Sequence, residues 1–113
     1  MSFRIRFSKA AVQDIQQVLT FTLEEFGERQ YQEYRELIRL ALADIASNPL
    51  RPTSKHRPEL YRNARTFHIS RQGKRARHFP IYRIMPDKVV DVARLLHDSM
   101  DLRRHVPRAF RSI

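Results

Sequence analysis

The chain opens on an alternation. Phe3, Ile5 and Phe7 are apolar and Arg4 and Arg6 lie between them, the period of a strand with one face on a core. At Ser8, a good helix cap, the period changes. From there Val12, Ile15, Val18, Leu19, Leu23 and Phe26 recur at helical spacing, and Gly27 supplies a residue that can end the helix. A second helical stripe of Tyr31, Tyr34, Ile38, Ala41, Leu42 and Ile45 runs to Asn48 and Pro49. With only Gly27 and its neighbours between them, the two helices are expected to form an antiparallel hairpin.

Beyond Pro49 the periodicity lapses. Residues 49–63 contain Pro49, Pro52 and Pro58 and read as a loop with a short turn around "PELYRN". Alternation returns in "RTFHIS"; "RQGKR" makes a turn, "HFPIYRIM" continues as a strand, and "PDK" turns again. "VVDVARLL" is apolar on both faces, as a central strand must be. The pattern predicts a single α+β domain over residues 1–113, an antiparallel helical hairpin packed on a mainly antiparallel four-stranded sheet (β-α-α-β-β-β), with a short C-terminal helix. Pro80 cannot donate to a ladder, so a bulge is expected there. Phe3, Ile5, Val12, Ile15, Leu19, Ile38, Leu42, Val90, Val92 and Leu95 are the expected core; Tyr31 and Tyr34 join it or line a groove.

Composition adds enough apolar content, 42% of residues, for a core without staples, and no cysteine, which removes disulfides and thiolate metal sites. No apolar run approaches a bilayer span and "MSFRIRF" does not read as a signal peptide, so the expected location is the cytoplasm, with no membrane contact beyond the peripheral. The net charge of +10 is unevenly spread. Residues 1–50 carry six Lys/Arg against seven Asp/Glu, residues 51–83 ten against one, and residues 84–113 six against four. A field concentrated in the middle third attracts an anionic partner, either nucleic acid or an acidic protein segment.

In "LLHDSMDLRRH" the residues His97, Asp101 and His105 stand four apart. On one helix they would share a face and suggest a metal site. If "VVDVARLL" is a strand, His97 ends it and Asp98 or Ser99 caps a short helix carrying Asp101 and His105. The corner breaks the spacing, so no metal or other cofactor is assigned, and a structural role at the corner is the simpler expectation.

"FSKAAVQDIQQVLTFTLEEFGERQYQEY" resembles the opening helices of ParE-like toxins of the ParE/RelE superfamily, and "ARLLHDSMDLRRHVP" is similar to their C-terminal signature of a hydrophobic strand ending in Arg-x-Leu-His, then Met-Asp and a later His. The resemblance spans residues 3 to about 107. It implies the toxin half of a toxin–antitoxin module, neutralised by a ParD-like antitoxin whose C-terminal segment wraps it. It implies the helical hairpin on an antiparallel sheet, and DNA gyrase as the target of ParE-like members, whereas RelE-like relatives cleave mRNA on the ribosome. Pro80 and the arginine-rich "RQGKRARH" turn depart from the family pattern.

RNA cleavage needs a base, an acid and cations at the phosphate. This chain has no tyrosine after Tyr82, where RelE-like enzymes often place one, so the preferred expectation is a binding toxin with no catalytic residue. A RelE-like mRNA endonuclease using His97 and His105 is the alternative, and a basic nucleic-acid-binding module is the second. Arg65, Arg71, Lys74, Arg75, Arg77 and Arg94 form the expected anion-facing set. His97, Asp101, Arg103 and Arg104 form a second, C-terminal set for target or partner contact.

Overall fold

The computed structural model describes residues 2–71 and 73–105. Strand β1 (Arg4–Phe7) leads into helix α1 (Lys9–Phe26), whose first turn is capped by Ser8: its hydroxyl accepts the Ala11 N–H at 2.9 Å. Gly27, at φ 87° and ψ 179°, occupies backbone space essentially closed to residues with a Cβ. That single residue reverses the chain, for helix α2 (Glu28–Ser47) begins at the next one. Leu37, Ile38, Ala41 and Ile45 form the buried stripe of α2.

Four further strands follow: β2 (Lys55–His56), β3 (Arg65–Thr66), β4 (His78–Met85) and β5 (Val89–His97), then a 3-10 turn over Leu102–His105. The sheet order is β1-β5-β4-β3-β2, parallel between β1 and β5 and antiparallel elsewhere. The sheet therefore has five strands where the pattern suggested four. The added strand is the short β2 inside the proline-containing stretch. The expected "RTFHIS" strand shrinks to Arg65–Thr66, because beyond it Ser70 turns to Ala76, donating from its hydroxyl to the Ala76 carbonyl and accepting the Ala76 N–H.

The bulge is real but sits across from its expected place. Ile81 pairs with Arg94 and Tyr82 with Val92, which leaves Ala93 of β5 as the extra residue. Pro80 itself is paired with Leu95. The His78 carbonyl accepts the Ile69 N–H, so by strand alternation the missing N–H of Pro80 faces residues 67–70 and costs β4–β5 no bond. The bulge also serves α1. Ser8 donates its N–H to the Val92 carbonyl at 3.0 Å and its hydroxyl to the Ala93 carbonyl at 2.6 Å.

Both faces of β5 are covered, as its composition required. Val90, Val92 and Leu95 pack with Ile38, Ala41 and Ile45 of the hairpin. Ala93 and Leu96 pack with Leu60, Tyr61, Phe79 and Ile81, where residues 57–64 cover the opposite face. Of the expected core, Ile38, Val90, Val92 and Leu95 are buried, and Phe3, Ile5, Ile15, Leu19 and Leu42 are partly buried against them. Val12 is not part of it, being 42% exposed, because the neighbouring Ala11 takes the inward position. Leu23 and Phe26 also miss the core: at the C-terminal end of α1, Phe21 and Phe26 are 57% and 64% exposed.

Candidate partner-binding groove

The exposed end of α1 lines one side of an open groove of about 520 Å³. Phe21 and Phe26 from α1, with Gln30 and Tyr34 from α2, form that side. Arg75, Arg77, His78 and His97 form the other, and no acidic residue lines it among the described residues. The antiparallel register produces the imidazole pair: the first residue of β4 lies opposite the last of β5, and the two rings meet edge-on at 5.2 Å.

Tyr34 joins helix to sheet at this point. Its hydroxyl lies 2.5 Å from His78 Nδ1 and accepts the Arg77 N–H at 3.1 Å. Behind it, Asp98 takes a bond from Arg77 Nε at 3.1 Å and stands 3.1 Å from His68 Nε2, while its N–H donates to the Arg77 carbonyl. Burial, with help from the neighbouring His97, pushes the His78 pKa down to about 4. Burial also raises the Tyr34 hydroxyl, and the His68 bond lowers Asp98. At neutral pH His78 is thus uncharged and Tyr34 keeps its proton. Strong positive charge at the groove comes from Arg75 and Arg77.

The expected anion-facing set divides. Arg94 faces Asp14 of α1, bonded through Nε at 2.6 Å and Nη2 at 2.7 Å, and its Nη1 donates to the His105 carbonyl at 2.6 Å. It is a strut between sheet, helix and C-terminal turn. Arg65 donates to the Ser54 hydroxyl at 2.8 Å, and that hydroxyl is bonded to Tyr82, which donates to the Pro49 carbonyl. Arg71 pairs with Asp44 at 2.6 Å. These three spend their donors on the fold because each stands against a partner supplied by a distant segment. Lys74 and Arg75 are exposed and make no ion pair among the described residues; Arg77 is tied to Asp98.

In the C-terminal set, His97 accepts the N–H and lies 2.7 Å from the hydroxyl of Ser99, a local corner structure. Asp101 and Arg104 form an exposed pair at 3.5 Å, and the Arg103 side chain lies outside the described residues. No hydrogen bond, ion pair or ring contact joins His97 to His105 among the described residues; His97 shares its surroundings with His78 and Asp98 instead. Nor does any group of three His, Asp or Glu side chains among them have the placement to hold a metal, and no helix among them is long and apolar enough to cross a membrane.

Two functional features escaped sequence reasoning. The His78–His97 pair was readable only from the hairpin register, by counting outward from the "PDK" turn and allowing for one bulged residue. Asp14 had a plainer signal, a carboxylate within an apolar helical stripe.

The family model described as the ParE toxin of type II toxin–antitoxin system, parDE, matches residues 5–102. No curated protein matches the chain. Among solved structures it is similar to a chain of the toxin–antitoxin complex RelBE2 from Mycobacterium tuberculosis, with 18% identity and a TM-score of 0.59, covering 86% of this chain and 99% of that one. It is also similar to a chain of the chromosomal ParDE system from P. aeruginosa, with 12% identity and a TM-score of 0.66, covering 85% and 96%. At such identities the likeness to these two is one of fold.

Proposed function

The chain belongs to the ParE toxin family of type II toxin–antitoxin systems, and on that premise we propose that it inhibits DNA gyrase by binding, and is neutralised by a ParD-like antitoxin. The observation that supports binding over catalysis is the state of the histidines. His97 has its Nδ1 engaged by Ser99, His78 is half-buried, uncharged at neutral pH and bonded to Tyr34, and no hydrogen bond, ion pair or ring contact joins His97 to His105 among the described residues. An acid and a base aligned on one phosphate would need two of these free and facing each other. What faces solvent instead is a surface with an apolar groove, two exposed phenylalanines and the cations of the turn beside it, the mixture of anchors and steering charge that protein partners use.

The test sets the two family activities side by side. Purified toxin is given gyrase with relaxed plasmid, and in parallel translating ribosomes with mRNA. Loss of supercoiling with intact mRNA is the expected outcome. Site-specific mRNA cuts that disappear on His97→Gln or His105→Gln, with supercoiling unaffected, overturn the binding reading in favour of the nuclease.

A further inference from the structure

We propose that the sheet face turned away from the helical hairpin is a second contact surface, which binds the phosphate backbone of duplex DNA through Arg4, Arg6 and Arg62. Alternation fixes the face. Val90 and Val92 pack with the hairpin, so Asp91 between them points to the other side. The register sets Arg6 of β1 and Arg83 of β4 directly across from it. Arg6 donates to the Asp91 carboxylate from Nε at 2.5 Å and from Nη2 at 3.1 Å, and Arg83 Nη2 lies 3.6 Å from the same group. One buried carboxylate therefore positions two guanidiniums and neutralises one. Arg6 stays more than half exposed, and its Nη1 has no partner among the described residues.

Two unpaired arginines flank this row. Arg4, two residues before Arg6, shares its face and is exposed. Farther along, residues 57–64 cover the face over Phe79, Ile81, Ala93 and Leu96. Burial raises the pKa of the Tyr61 hydroxyl, and the charges of Arg83 and Asp91 act on it as well, so Tyr61 stands where the cover meets the row. The exposed Arg62 is its neighbour. Neither Arg4 nor Arg62 makes an ion pair among the described residues. The large exposed apolar side chains lie elsewhere, on α1, on the hairpin side of β1, after α2 and beyond β5. A protein partner needs such anchors for affinity, and an unstacked base needs an exposed ring. A face of positioned guanidiniums with neither suits a continuous run of phosphates, bound without regard to sequence. The contact with a duplex stands apart from the toxin's target; the choice of DNA rests on the reading above, in which the target is an enzyme that acts on DNA.

Fluorescence anisotropy of the full chain with a short labelled DNA duplex, its single strand, the matching RNA duplex and polyglutamate tests this without gyrase, so its outcome is independent of the supercoiling assay. The DNA duplex is expected to bind most tightly, with an association constant that falls with salt at a logarithmic slope of about −0.9 per phosphate contacted. Arg4→Gln combined with Arg62→Gln is expected to weaken binding about tenfold at low salt and to reduce that slope by about two. Both substitutions leave the Asp91 pairs in place, so unchanged melting curves will confirm that the fold survives. Lys74→Gln combined with Arg75→Gln, at the turn beside the groove, is expected to leave the slope as it is. Single strand, RNA duplex or polyglutamate bound as tightly as the DNA duplex, a slope indifferent to the loss of Arg4 and Arg62, or an equal loss from the turn variant, would each overturn the proposal.

Discussion

Asp14 shows how far from its own neighbours in sequence a residue's partner can lie. Its position on α1 repeats the spacing of the apolar stripe, and a carboxylate there is unstable unless matched. The match comes from Arg94, eighty residues later, and from the Leu95 N–H at 3.0 Å. No local pattern announces a partner at that distance, so Arg94 reads from sequence as free charge. His78 poses the same problem with a different consequence. Burial lowers its pKa from the ordinary 6.5 to about 4, so as pH falls the unfolded chain takes up this proton before the folded one does. The stability that follows from keeping His78 neutral is fully present above about pH 6.5 and is lost progressively as pH falls through about 4. Replacing His78 by glutamine removes the titration while keeping a polar group near Tyr34. The urea midpoint of the wild type is expected to drop between about pH 7.5 and about pH 5 by more than that of His78→Gln. Equal drops would show that His78 is not the group linking folding to pH in this window.

Elements were legible where one period governed a run of residues. Both helices and the β4–β5 pair fall where the pattern placed them, since eight to twenty residues of consistent alternation or helical spacing leave little ambiguity. Lys55–His56 was not, because two residues carry no period, and of the expected "RTFHIS" strand only Arg65–Thr66 pairs, its length set by the turn of Ser70 to Ala76. The bulge was half legible: Pro80 signalled irregularity, but the extra residue lies on the partner strand, set by the needs of α1. Ser8 joins these facts, capping α1 and bonding the bulge carbonyl of Ala93 with one hydroxyl. Ser8→Ala removes both contacts and is expected to cost about 2 kcal/mol in urea unfolding, about 1 for the cap and about 1 for the orphaned carbonyl. Ser8→Asp keeps the cap acceptor but sets a carboxylate against that carbonyl. It should therefore do no better than alanine if the bulge contact matters, and should recover nearly all of the loss if only the cap does.

At the scale of the whole molecule, the charge of the middle third is less available than its count suggests. Arg51 and Arg71 share Asp44, Arg57 pairs with Glu59, Arg77 with Asp98 and Arg83 with Asp91. Folding brings the acids of other segments to these arginines, which a linear charge count cannot show. Among the described residues of this segment the cations outside such pairs are Lys55, Arg62, Arg65, Lys74 and Arg75, of which Lys74 and Arg75 are neighbours at the turn beside the groove and both exposed. Arg77 must be left in place when this is tested, since a glutamate there would face Asp98 and strain the support of Tyr34. Lys74→Glu combined with Arg75→Glu changes the formal charge by four units on exposed positions and should leave the melting temperature nearly unchanged. If an acidic antitoxin segment is steered to this face, the double variant should slow its association severalfold at low salt, and the difference should fade as ionic strength rises past about 0.15 M, where fields are cut off within about 8 Å. Dissociation should change little, because buried apolar anchors, not rim charge, hold a docked segment. Surface-plasmon measurements of both rates across a salt series decide it: a variant whose loss lies mainly in dissociation makes Lys74 and Arg75 contact residues of the bound complex, and the steering role is then wrong.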